Sequence, residues 1–360
     1  MKRERLSHIE LLRLVAMFMV LTVHADFYAL HTPSVTMTAL HPLNVVTRFF
    51  FESLSIGCVD IFILISGWFG IKASVKGFSN LVFQILFFGI GIYAVMWAFH
   101  IVPFRWESVA ECFLLTPVLG FVKAYMCLYL LSPVLNAFVA SAGRKTFRNL
   151  LLSFFTFQTI YGWLSTGAGF FESGHATLSY IGLYLLARYM KVYRPKWACM
   201  GVAFHLTIYF SIAVVFTVTG FCANYFGGKY ISDHLLYYNN PLVVMGSLSL
   251  LLAFDGMYFR SRAINWLAAS SFAIYLFHQN PNLSARYYIA TVIDLYKHTD
   301  GIICILLIFL FMVFVACLAI LLDQPRKWIW RRWLLPLFDD GKKGNKQEKE
   351  GCGTDHKAAV

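Results

Sequence analysis

The chain has 360 residues, 59% hydrophobic and 13% charged, with a mean hydropathy of +0.65. Soluble domains carry roughly a quarter charged residues, so a soluble globular fold is excluded. The net charge of +12 would suit a nucleic-acid partner, but its distribution along the chain points to a membrane and needs no such partner.

Apolar runs near the ~20 residues needed to cross a hydrocarbon core recur from end to end. They predict about ten helices, near residues 9–29, 47–71, 80–102, 117–141, 147–166, 176–192, 197–220, 236–254, 263–281 and 300–323. The fold class expected is an all-α polytopic membrane bundle.

The first run, IELLRLVAMFMVLTVHADF from Ile9 to Phe27, is too long for the core of a signal peptide, and no small-residue cleavage site follows it. It is expected to be retained as a helix. It also carries two residues that lipid makes expensive, Arg13 and His24. Eleven positions at 100° each bring them within ~20° of one face, ~16 Å apart along the axis. Glu10, one turn before Arg13, is placed for a same-face ion pair. Taken singly, Arg13 reads equally as a snorkelling anchor, whereas His24, so deep in the run, is harder to explain as a hydrogen-bonded packing residue. On one stripe, they point to a polar passage from one membrane face into the interior.

The second run contains Asp60 and the pair Ser66–Gly67, small residues that let neighbouring helices approach closely. Ser66 lacks an adjacent base, so packing or a hydrogen bond to substrate is expected of it rather than nucleophilic attack. Lys72 and Lys76 follow in the next connection. The fourth run puts Tyr125 and Tyr129 one turn apart as candidate cavity lining, and the ninth carries His278 at its outer end. The last run leaves through LLDQPRKWIW into DDGKKGNKQEKEGCGTDHKAAV, a polar stretch expected to be disordered. The division is therefore a membrane domain over 1–335 and a cytoplasmic tail over 336–360. Eight cysteines are scattered without a C-x-x-C pair or a nearby His cluster, so neither a structural disulfide nor a metal is expected.

Assigning loops to alternate sides leaves twenty-three Lys and Arg on one side and five on the other, with Arg13 and Lys123 inside runs. Every loop agrees in sign. The positive-inside rule then places both termini in the cytoplasm.

The first helix resembles the opening helix of the membrane-bound acyltransferase-3 family, marked by an Arg, ten intervening residues and a His, here Arg13 and His24. VDIFILISGWFGIK, YMCLYLLSPVLNAF, INWLAASSFAIYLFHQNP and LLDQPRKWIW are similar to later family motifs in the same order, so the resemblance spans roughly residues 6–335. Two departures stand out. Ala273 occupies a position where relatives usually carry Gly, and Lys72 and Lys76 stand where they often carry an Arg pair. Lysines meet phosphate as point charges rather than as bidentate forks.

The resemblance implies a multi-pass inner-membrane enzyme with no permanently bound cofactor. It would move an acyl group, commonly acetyl from cytoplasmic acetyl-CoA or another acyl-CoA, to a hydroxyl of an envelope or exported carbohydrate. Arg13, Glu10, Lys72 and Lys76 would then serve the donor, while Ser66, Tyr129 and His278 would contact substrate. His24 would act as general base, with a covalent acyl-imidazole as the competing mechanism. Helix-rise counting puts Asp60 and His24 within about 5 Å in depth, so Asp60 is expected to orient the imidazole as in a hydrolase triad. The alternative for Asp60 is a packing acid bonded to Ser or Tyr. The rival function is a proton-coupled transporter or glycan flippase using the same buried charges.

Overall fold

The computed structural model describes residues 6–165 and 169–338, and these form helices with no strand among them. The polar tail expected beyond Phe338 lies outside the described residues. Helix α1 (Ser7–Val23) continues into a π-helical turn, His24–Tyr28. A short α2 (Val35–Leu40) leads to α3 (Pro42–Ser55) and α4 (Cys58–Phe69), which share one apolar run broken at Ile56 and Gly57. Next come α5 (Val75–Ala98), the short α6 (Trp106–Cys112), α7 (Gly120–Ser141), and α8 (Arg144–Phe157) with its π extension Gln158–Leu164. Helices α9 (Thr177–Tyr193), α10 (Val202–Tyr225), the short α11 (Lys229–Leu235) and α12 (Pro241–Asp255) follow. The chain closes with α13 (Arg262–Ala268), α14 (Ser271–His278), α15 (Ala290–His298) and the 29-residue α16 (Gly301–Ile329).

Among the described residues, six stretches are long and apolar enough to cross a bilayer: Ser7–Tyr28, Pro42–Phe69, Val75–Ala98, Gly120–Ser141, Val202–Tyr225 and Gly301–Phe338. The runs expected near 147–166, 176–192, 236–254 and 263–281 are occupied by α-helices of 17 residues or fewer, the last split in two. Local signals shorten them. The Asn240 side chain caps α12 by accepting the Leu242 N–H at 2.9 Å, and Pro241 takes its first position. The first turns of α8 are spent on Arg144, Lys145 and Arg148.

The outer surface is apolar where a soluble protein would be polar. Helix α16 exposes Ile302, Leu306, Phe309, Leu310, Phe314 and Leu321, a continuous hydrophobic flank that water would not tolerate. This is a multi-pass membrane protein.

Helix α4 forms the centre, with Ile61, Ile63, Leu64, Ile65 and Trp68 at most 1% exposed. It packs against α1, α9 and α12. A Cβ added at Gly67 would stand 2.5 Å from the Tyr184 carbonyl oxygen and 2.9 Å from Ala187 Cβ, so only glycine permits this approach to α9. At the α3–α4 break, the Gly57 carbonyl accepts from Ser247 Oγ at 3.2 Å, and the Leu54 carbonyl accepts from the Tyr209 hydroxyl. The backbone groups released by the break are thus re-satisfied inside the protein, as an apolar solvent demands.

One end of the bundle is tied by ions. The Asp255 carboxylate accepts from Trp68 Nε1 at 3.1 Å and pairs with Arg194 at 3.1 Å and Lys191 at 3.5 Å. Ser7 Oγ accepts the Ser261 N–H at 2.9 Å, which brings the start of α1 to the same end. The contacts therefore gather loops that the charge count had assigned to a single side.

Candidate functional site

The site forms where α1 ends and α14 ends. His24 is the first residue of the π turn, and its Nδ1 lies 2.9 Å from Nε2 of His278. The opposite nitrogen of His278, Nδ1, is 2.7 Å from the Ile274 carbonyl one turn back on α14. A carbonyl only accepts, so His278 Nδ1 carries a proton and donates it. In the neutral pair, His278 Nε2 is consequently the acceptor and His24 Nδ1–H the donor. That leaves the Nε2 lone pair of His24 unengaged, on a ring that is only half buried. A backbone carbonyl has thus selected the tautomer of a residue on another helix.

Aromatic packing holds the pair. The Tyr288 ring lies 5.3 Å from that of His278, and its hydroxyl donates to the Leu21 carbonyl at 2.7 Å, close below His24. Tyr28 stands edge-on to His24 at 5.4 Å. The π turn inserts extra backbone at His24, a device frequent at functional sites.

Beyond His24, the same turn carries Asp26, whose Oδ1 accepts from Arg48 Nε at 2.6 Å. Arg48 also donates through Nη2 to the His31 carbonyl at 2.6 Å. Glu52, one turn on along α3, is 2% exposed, and its Oε2 has no hydrogen-bond partner among the described residues. Arg48 was among the five cations counted on the outer side, and both acids had been passed over. The signal was present, since Asp26 and Glu52 each interrupt an apolar run.

Asp60 makes no hydrogen bond to His24. It is 0% exposed in the first turn of α4, and neither carboxylate oxygen has a hydrogen-bond partner among the described residues. Depth counting compared rises along two helices and carried no information on which way either side chain faces. The imidazole is positioned by His278 instead, which had been expected only to touch substrate.

Arg13 and Glu10 form the expected pair, with Nη1 of Arg13 3.0 Å from Oε2. Ser66 donates to the Phe62 carbonyl at 2.9 Å and lies 3.3 Å from the Tyr125 hydroxyl, in keeping with packing. Lys72 and Lys76 are exposed. Lys72 sits in a loop whose backbone is clamped on both sides. The Asn136 amide donates to the Ile71 carbonyl at 2.8 Å, and the Tyr184 hydroxyl accepts the Ile71 N–H at 3.0 Å and donates to Asn136 Oδ1 at 2.7 Å. Tyr129, expected as cavity lining, instead spends its hydroxyl on Ser74, accepting from its N–H at 3.2 Å. Three clefts, of 1020, 300 and 10 Å³, have neither Arg13 nor His24 in their walls.

A family model described as an acyltransferase domain matches residues 6–322, nearly the whole described chain. The chain belongs to the acyltransferase-3 family. It is an acyltransferase. No curated protein and no solved structure shows a significant match. The matched region of the acyltransferase holds Arg13, the Lys72 loop, the Asp26–Arg48 pair and both rings of the His24–His278 dyad. Just past it, α16 carries a second buried ionic knot. Asp323, 0% exposed, lies 2.6 Å from Arg326 Nε and 3.1 Å from Lys327 Nζ, and Arg326 reaches Asn80 on α5 at 3.2 Å.

Proposed function

We propose that this acyltransferase moves an acyl group, acetyl by preference, from cytoplasmic acyl-CoA to a hydroxyl of an envelope or exported carbohydrate. In this reading, the membrane domain crosses the inner membrane about ten times, the short helices included, with both termini in the cytoplasm. Arg13 and Lys72 meet the donor phosphates at the inner end, and the thioester extends toward His24, ~16 Å deeper along α1.

The observation that carries the proposal is the proton chain from His24 through His278 to the Ile274 carbonyl. It leaves His24 with one basic nitrogen and a fixed ring. That nitrogen takes the proton of the acceptor hydroxyl as its oxygen attacks the thioester carbonyl. The carbon–sulfur bond breaks, and the departing thiolate receives the proton back from His24. His278 accepts the Nδ1–H bond throughout and so stabilises the transient imidazolium, the service an aspartate renders in hydrolase triads. Asp26 and Arg48 keep the π turn that holds the ring in place.

Envelope glycans from cells carrying the natural chain, His24→Ala or Arg13→Ala test this by mass spectrometry. Acyl transfer predicts loss of base-labile esters with glycan length unchanged. Loss of the exported glycan itself would instead point to a flippase.

A further inference from the structure

The 1020 Å³ cleft lies between α8 and α9, and no residue of the His24 site lines it. Along α8, its wall follows a single helical face that begins with Arg144, Lys145 and Arg148 and continues as Leu151, Leu152 and Phe155. Leu186 and Met190 of α9 close the other side. Charge and apolar surface are therefore segregated lengthwise. Three cations stand at one end, and a hydrocarbon-like trough runs away from them.

The cationic end has a defined place. The Tyr193 hydroxyl donates to the Ala142 carbonyl at 3.0 Å, tying the start of α8 to the end of α9, where Lys191 and Arg194 meet Asp255. Arg144 lies 5.9 Å over the Tyr193 ring. None of the three cleft cations has a carboxylate partner among the described residues.

The trough opens sideways. Leu152 is 60% exposed and Ile160 46%, so the trough has an open apolar edge. From Arg148 to Thr159 the helix rises ~16 Å, about half of a ~30 Å hydrocarbon core. That is the depth of one leaflet. Coenzyme A is also polyanionic, but its hydrophilic arm does not suit a trough walled by Leu, Phe and Met and open to lipid.

We infer that this cleft binds an anionic phospholipid of the adjacent leaflet, with the headgroup phosphate on Arg144, Lys145 and Arg148 and an acyl chain along Leu151, Phe155 and Leu186. Basic pockets between membrane helices recognise anionic headgroups in this way. The inference is independent of the chemistry proposed for His24.

The test uses the full chain in nanodiscs of equal phosphatidylcholine and phosphatidylglycerol, extracted into mild detergent and read by native mass spectrometry. The natural chain retains phosphatidylglycerol in preference to phosphatidylcholine. Each surface cation strengthens attachment to anionic lipid about five-fold, so Arg144→Gln/Lys145→Gln/Arg148→Gln weakens retention on the order of 100-fold. Arg144→Lys/Arg148→Lys retains the lipid. Thr156→Trp, which fills the exposed trough and keeps every charge, loses it. Equal retention of the two lipids by the natural chain overturns the inference without recourse to any variant. So does retention that Thr156→Trp leaves unchanged, or displacement of the bound lipid from the natural chain by acetyl-CoA.

Discussion

Nε2 of His278 sits 2.9 Å from Nδ1 of His24, although 254 residues separate them in sequence. Because the Ile274 carbonyl determines which His278 nitrogen holds a proton, one backbone oxygen on α14 dictates where the lone pair of His24 points. In the proposed mechanism, the orienting partner of the base is therefore a second imidazole.

Removing either ring separates the two roles. His24→Ala lowers ester formation by about 10²–10⁴-fold, the usual worth of a positioned base. His278→Ala is milder in kcat, leaves KM for acyl-CoA unchanged, and shifts the pH profile because the free ring is no longer held in one tautomer. Steady-state kinetics in detergent against pH checks both. Equal losses with no pH effect would show that His278 is merely structural.

Arg13 and Glu10 are one turn apart on α1, and the Arg13 side chain is 29% exposed. Such pairs contribute about 0.3–0.5 kcal/mol, so Arg13→Gln leaves the protein folded and its thermal midpoint nearly unchanged. Its expected cost falls on the donor, as a raised KM for acyl-CoA. Arg13→Lys restores part of the affinity, since a point charge still meets phosphate. A stable Arg13→Gln protein with unaltered KM would remove Arg13 from the donor site.

The Asp26–Arg48 pair is buried on both sides, with side-chain exposures of 11% and 8%. Arg48→Leu strands a carboxylate and is expected to destabilise by about 3–5 kcal/mol. Asp26→Asn/Arg48→Leu, which removes both charges, recovers much of that loss. The surviving monodisperse fraction after graded heating, read by size-exclusion chromatography, ranks the two.

Two glycines on the central run predict opposite outcomes for rescue. At Gly57, an added methyl runs into the Ser247 hydroxyl, so Ser247→Ala relieves Gly57→Ala. At Gly67, the obstacle is the Tyr184 carbonyl at 2.5 Å, a backbone atom that no side-chain change removes. Gly67→Ala is expected to cost about 1–3 kcal/mol with no second-site relief on α9. Thermal midpoints of the singles and of Gly57→Ala/Ser247→Ala decide it.

Much of this protein is local in origin. Lipid offers no hydrogen bonds, so any long apolar run must satisfy its backbone within itself, and helix follows from composition alone. The pairing of Arg13 with Glu10 and the tight packing at Gly67 are also legible, because each depends on spacing along one helix or on the size of one side chain. The loop charges Lys191, Arg194 and Arg260 were placed on one side by counting, and the contacts around Asp255 and Ser261 draw two of those loops to one end.

What only the tertiary structure decided is which polar group faces which. His24 could have met Asp60, and depth along two ideal helices favoured it. Depth does not decide which way a side chain faces: among the described residues Asp60 has no hydrogen-bond partner, while His24 meets His278 and Asp26 meets Arg48. Composition acts residue by residue, so the apolar pattern yields the helices. A hydrogen bond between distant segments is settled by how those helices bend and dock, which no period along a single strand of sequence encodes.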